Sequence, residues 1–179
     1  MVTNYSHVKI KILILGIGNS ILRDDGIGPA IIQELKQCCA RSDVSLKTTN
    51  LTGMPLLDLL IGYDVLMVAD AIKSGAKPGE IQWLQVDDFK IRTHACSQHN
   101  MNILQVLELG KHLGLDVPSD IQIIAVEAYD VTNFGEDLTP AVAKAIPKAA
   151  ASILQKVNSY KKENQPPVLH HPLSTGQAN

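Results

Sequence analysis

Apolar and polar positions along the chain alternate between two periods. Val8 to Gly16 is a run dominated by Ile and Leu behind a short polar lead, the pattern of a strand buried on both faces. From Pro29 to Ala40, Ile31, Ile32, Leu35 and Cys39 recur at helical spacing. Pro29 sits near the helix start, where its missing N–H costs nothing. Leu46 to Leu51 is a second strand, and Met54 to Ile61 a short apolar helix that Gly62 can end. Asp64 to Asp70, DVLMVAD, is a continuous apolar run closed by an acid, as expected of a central parallel strand. The turn-rich KSGAKPGE leads into Glu80 to Val86, which alternates as a strand. Asn100 to Leu113 places Met101, Leu104, Leu107 and Leu109 on an apolar helical face, and DIQIIAVEA is another strand. Thr139 to Val157 reads as one long final helix, with Thr139 as N-cap and Pro140 at the first helical position.

The order β-α-β-α-β-β-α-β-α predicts an α/β domain with a mainly parallel sheet and helices on both faces. Residues 1–160 form that single domain, while 161–179 turn polar and Pro/His-containing, as in a mobile tail. His170 and His171 fall in the tail and are read as a solvated pair rather than a metal site.

A length of 179 residues suits one domain with a sizeable core. The net charge of −2 argues against a nucleic-acid surface, and an aromatic fraction of 4% leaves few platforms for stacking bases. The 3 cysteines, Cys38, Cys39 and Cys96, form no disulfide framework and no zinc spacing. They fit a reduced, cytoplasmic setting, with Cys38 and Cys39 as core or half-buried helix residues. No segment reaches the roughly 20 apolar residues of a membrane helix, and the start lacks signal-peptide features. A monomer is the default expectation.

The stretch LGIGNSILRDDGIGPAI, Leu15 to Ile31, follows the first strand with Gly16, Gly18, Gly26 and Gly28, one Asn and two adjacent acids. As a dinucleotide loop it fails: Ile21 stands where the third glycine belongs, and no acid closes the second strand. Asp24 and Asp25 also occupy the helix N-terminus where a pyrophosphate would dock. One of them can cap the helix, which leaves the other over; Asp24 is read as nearer the structural role. Asp70 closes the third strand, and ligands of open parallel sheets bind outside the carboxyl ends of strands. His94 is mid-loop, whereas His99 falls just before an amphipathic helix. Two carboxylates and one imidazole suit a divalent metal with open positions. A plain turn residue at Asp70 remains the alternative.

Together, LGIGNSILRDDGIGPAI, VLMVADAI and HNMNILQVLEL resemble the hydrogenase maturation endopeptidases, over roughly residues 8–157. Members trim the C-terminus of the large subunit of nickel–iron hydrogenases. The resemblance implies a three-layer α/β/α sandwich with a twisted, mainly parallel sheet. It puts the metal-contacting carboxylates on Asp25 and Asp70 and the imidazole on His99, the same three residues being the catalytic candidates. Relatives can carry Glu at the first position; Asp25 is one methylene shorter. Gly16, Gly18 and Asn19 then shape the site. The implied partner is the large-subunit precursor, and the implied metal is nickel already inserted in it, so that no permanent ion is needed.

Two chemistries stay open: a metal polarising the scissile carbonyl or activating water, or Asp25 or Asp70 acting as general base. There is no Gly-x-Ser-x-Gly, and Cys96 with His99 makes a poor thiol pair. The segment Glu127 to Val142 can rim the same crevice or merely connect. Thr52 and Gly53 can line it, with Met54 and Leu56 offering apolar contact to a peptide. The competing readings are a non-cleaving, nickel-sensing or chaperone-like module, and a peptidyl-tRNA or nucleoside hydrolase, which the charge disfavours.

Overall fold

A computed structural model describes residues 10–51, 53–86 and 98–163, with backbone alone for 98–102 and 161–163. The first strand, β1 (Ile12–Ile17), has every residue buried, as its unbroken apolar run requires. A 3-10 turn (Arg23–Gly26) leads into α1 (Ile27–Cys38), whose apolar stripe of Ile27, Ile31, Ile32 and Leu35 faces the sheet. The chain continues through β2 (Val44–Thr49), a 3-10 turn (Met54–Leu56) and α2 (Leu57–Leu60) to β3 (Val65–Ile72), buried along its whole length. β4 (Ile81–Leu84), α3 (Gln98–His112), β5 (Asp120–Glu127), α4 (Pro140–Ala143) and α5 (Ile146–Glu163) complete it.

The strands form one five-stranded sheet in the order β2-β1-β3-β5-β4, parallel except for β4, which runs antiparallel to β5 at the edge. Alternation along each strand divides the core in two. Ile12, Ile14, Val65, Met67, Ile124 and Val126 pack with α1, α4 and α5. Leu13, Leu15, Leu66, Val68, Ile123 and Ala125 pack with α2 and α3. The result is the expected α/β architecture with helices on both faces of a mainly parallel sheet. Among the described residues no helix is long and apolar enough to cross a membrane.

Four local expectations change. The long final helix is broken between Ala143 and Ile146. Pro147 has no N–H to offer the carbonyl of Ala143, and its ring would collide with it, so the first helix must end there. Thr139 stands at the N-cap of α4 without a side-chain capping bond, because its hydroxyl is committed elsewhere. Asp70 does not end its strand: β3 runs on through Ala71 and Ile72, which pair with Val126 and Glu127 of β5. Cys38 is exposed at the end of α1, while Cys39 is half-buried. His94, Cys96, Thr52 and the tail from residue 164 lie outside the described residues.

Candidate functional site

Three glycines draw the chain after β1 into one tight assembly. A Cβ on Gly16 would stand 2.4 Å from the Gly28 carbonyl oxygen. One on Gly28 would stand 2.2 Å from the Ile17 oxygen and 2.5 Å from the Ala69 oxygen. The first turn of α1 therefore lies directly on the backbones of β1 and β3, beside the residue that precedes Asp70. Gly18 has φ +140°, and a Cβ there would reach within 1.9 Å of the Asp25 oxygen. Its N–H donates to the Thr49 carbonyl at 3.2 Å, tying the turn to the end of β2. Gly28 does the helix-packing work that a dinucleotide loop assigns to its third glycine, seven residues further along than that fingerprint puts it.

The same edge is where the sheet changes direction. From β1 the chain crosses to β2 on one side, and from β3 it proceeds toward β5 and β4 on the other. β1 and β3 pair only as far as Gly16 opposite Ala69, so Asp70 is the first residue of β3 beyond that pairing. A crevice at such a switch point, outside the carboxyl ends of the strands, is the ligand site of open parallel sheets. The 3-10 turn carrying Asp25 packs against β3. Asp25 is half-buried, and its Oδ2 accepts the Asn19 N–H at 2.7 Å. The Asn19 Oδ1 in turn accepts the Ile21 N–H at 3.2 Å, so Asn19 shapes the turn from both of its ends. Asp70 is buried, and its Oδ1 accepts the Ala71 N–H at 2.7 Å. Its place in the alternation is that of Leu66, Val68 and Ile72, toward the face covered by α2 and α3.

His99 belongs to the first turn of α3, and its ring lies outside the described side chains. The segment that follows α3 is bonded to the edge from which β3 starts: Gly62 N–H to the Asp116 oxygen at 2.7 Å, and Ser119 N–H to the Asp64 oxygen at 3.2 Å. A helix of 15 residues spans roughly 22 Å. Its opening turn thus starts well away from that edge. Gly53, in the turn after β2, takes φ +68° and opens the 3-10 turn of Met54. Among the described residues no three His, Cys, Asp or Glu side chains come together as a metal-holding group.

Neither acid caps a helix; Asp24 has a different task. It is 0% exposed and receives Tyr129 N–H and Asp130 N–H at 2.9 Å each, Thr139 N–H at 2.7 Å and the Thr139 hydroxyl at 2.9 Å. These donors come from the segment between β5 and α4, so that segment is fastened to the turn after β1. Backbone bonds reinforce the join: Asp24 N–H to the Asp130 oxygen, Arg23 N–H to the Gly135 oxygen, Gly135 N–H to the Ile21 oxygen. Asp130 holds its own loop, with Asn133 and Thr132 as donors and Arg23 as ion-pair partner at 3.4 Å. The Asn133 side-chain amide, then the N–H groups of Asn133 and Thr132, keep the Asp130 carboxyl far below the usual carboxylate range. In the sequence this segment could equally rim the crevice or merely connect, and the clasp is not visible there, because its partners lie more than 100 residues apart. The only signal was the surplus acid.

A half-buried and a buried carboxylate at one switch point can supply anionic oxygens to a divalent cation, or one can serve as a base.

Comparison with known proteins identifies the family. The family model described as HycI, hydrogenase maturation protease, matches residues 29–156. The hydrogenase 2 maturation protease of Escherichia coli is 30% identical over 149 residues, covering 81% of this chain and 89% of that protein. The hydrogenase expression/formation protein HupD of Thiocapsa roseopersicina is 30% identical over 148 residues; the chain spans 66% of that longer protein. Among solved structures, the hydrogenase maturating endopeptidase HybD from E. coli superposes with a TM-score of 0.73 at 28% identity, covering 84% of this chain and 94% of that one. The chain therefore belongs to the hydrogenase maturation protease family, a family of endopeptidases built on this α/β fold.

Proposed function

We propose that this protein removes a C-terminal peptide from the nickel-loaded precursor of a nickel–iron hydrogenase large subunit. Asp25, Asp70 and His99 recognise the nickel carried in by that precursor, and the same residues handle the hydrolytic step. What supports the reading is that the turn carrying Asp25 packs against β3, the strand carrying Asp70, beside the β1/β3 switch point, within a chain of this protease family. The donor set fits the ion. Carboxylate oxygens neutralise a divalent cation, imidazole is a preferred ligand for nickel, and three protein ligands leave positions for groups of the precursor.

Nickel so used is part of the substrate. Its capture orients the scissile bond against the crevice. Hydrolysis then requires a water held by a carboxylate that takes its proton as the water oxygen bonds to the scissile carbonyl carbon, and returns it to the leaving nitrogen as the C–N bond breaks, a role open to Asp25 or Asp70. Gly16, Gly18 and Asn19 set the turn, and Gly53 borders the cleft.

Processing is followed by intact mass of the large subunit. Asp25→Asn, Asp70→Asn and His99→Ala should each cut turnover by at least about 100-fold, as expected when an orienting or proton-transferring group is lost, while circular dichroism stays native. Full activity in these variants would remove the three-residue assignment. Precursor binding without loss of a peptide, in the unmodified protein, would favour a nickel-sensing module that does not cleave.

A further inference from the structure

We infer that Asp24 is a positioning residue for Asp25, acting through the clasp between the turn after β1 and the segment between β5 and α4. The inference rests on the nickel reading of Asp25. An ionised carboxylate offers about four acceptor sites. Asp24 receives four hydrogen bonds, three of them on Oδ2, from Tyr129, Asp130 and Thr139. Its Oδ2 is saturated and its Oδ1 holds the Thr139 N–H, and at 0% exposed neither oxygen faces a ligand from solvent. What it does is hold its own backbone still, and Asp25 is the next residue.

The chain around it needs holding. Arg23 has φ +47°, a left-handed conformation that a side-chain-bearing residue adopts only when its surroundings impose it. The imposing contacts are those of the clasp: Arg23 N–H to the Gly135 oxygen at 2.8 Å, Asp24 N–H to the Asp130 oxygen at 3.0 Å, and the four bonds to the Asp24 carboxylate. Released, Arg23 returns to an ordinary conformation and swings the following residues. Asp25, with the shorter of the two acidic side chains, has little reach to compensate. A displacement of about 1 Å at such a group costs on the order of 100-fold in rate.

The experiment compares Asp24→Asn with Glu127→Gln. Glu127 is an equally buried structural hub, 2% exposed, accepting from Ser74 N–H, the Ser74 hydroxyl and Gly75 N–H, with no bond to the Asp25 turn. Affinity for nickel chloride is measured by calorimetry, kcat and KM on nickel-loaded precursor by mass, and Tm by circular dichroism. Asp24→Asn should lower nickel affinity and kcat at least about tenfold and raise KM, whereas Glu127→Gln should lower Tm comparably and keep all three. Equal losses in the two variants, or wild-type values in Asp24→Asn, would overturn the positioning role. Should Asp24→Asn not fold, Thr139→Val removes one donor and keeps the carboxylate. A smaller fall in kcat there supports the role, and an unchanged kcat overturns it. Asp25→Asn separates the two claims. If it keeps nickel affinity and processing, the nickel reading itself falls; if it loses them while Asp24→Asn does not, only the positioning role falls.

Discussion

Two adjacent aspartates illustrate how neighbouring identical residues acquire different tasks. Asp24 lies inside the protein and takes four hydrogen bonds from residues 105 to 115 positions away. Asp25, half-buried, takes one from Asn19. Their substitution by Asn should differ accordingly. Asp24→Asn sets an NH2 group against backbone donors and should cost about 3 kcal/mol, as expected when buried hydrogen bonds to a charged group are broken. Asp25→Asn should cost less than about 1 kcal/mol while removing function. Chemical denaturation of both variants checks the pair; equal losses would contradict the division of labour. That division was half legible in the sequence. A helix cap needs one side chain, so a surplus acid was visible, but the Asp24 partners depend on long-range folding that no local pattern encodes.

Among the elements, α1 is the one that seats the turn after β1 against the sheet. Gly28→Ala would push a methyl carbon to 2.2 Å from the Ile17 oxygen and 2.5 Å from the Ala69 oxygen. Backbone cannot yield as a side chain does, so the helix must lift from the sheet, at about 3 kcal/mol, the upper end for overpacking. Processing should fall with it, because the turn carrying Asp25 lifts from β3; a variant as stable and active as the parent would contradict the packing. The β5–α4 segment adds a pH dependence. Its Asp130 is held far below the usual carboxylate range by Asn133 and Thr132. The fold therefore favours the charged form. The stabilisation is complete above the unfolded value of about 3.9, and is lost progressively as pH falls below it. The Tm gap between the parent and Asp130→Asn should be wide at neutral pH and narrow toward pH 3; a gap that stays constant would contradict this. The elements themselves were readable from period and punctuation, since buried parallel strands are continuous apolar runs. The break before Ile146 was missed because an alanine-rich helical pattern outweighed Pro147, whose effect is felt four residues upstream.

At the scale of the molecule, strand order decides what the chain can do. Sequence order alone leaves open which strands are neighbours; the order β2-β1-β3-β5-β4 puts the turn after β1 and the acid of β3 at one switch point. The alternating pattern made the α/β class legible, and the quoted motifs made the family legible. Whether three residues separated by successive gaps of 45 and 29 positions share a site is a property of the assembled fold. The proposed site recognises nickel within a large-subunit precursor, and cleavage follows recognition. The most direct test is the intact mass of that precursor after incubation with the unmodified protein, with and without nickel inserted. The nickel-loaded form should lose one C-terminal peptide, and the nickel-free form should keep its mass. Equal cleavage of both forms, or of neither, would contradict this.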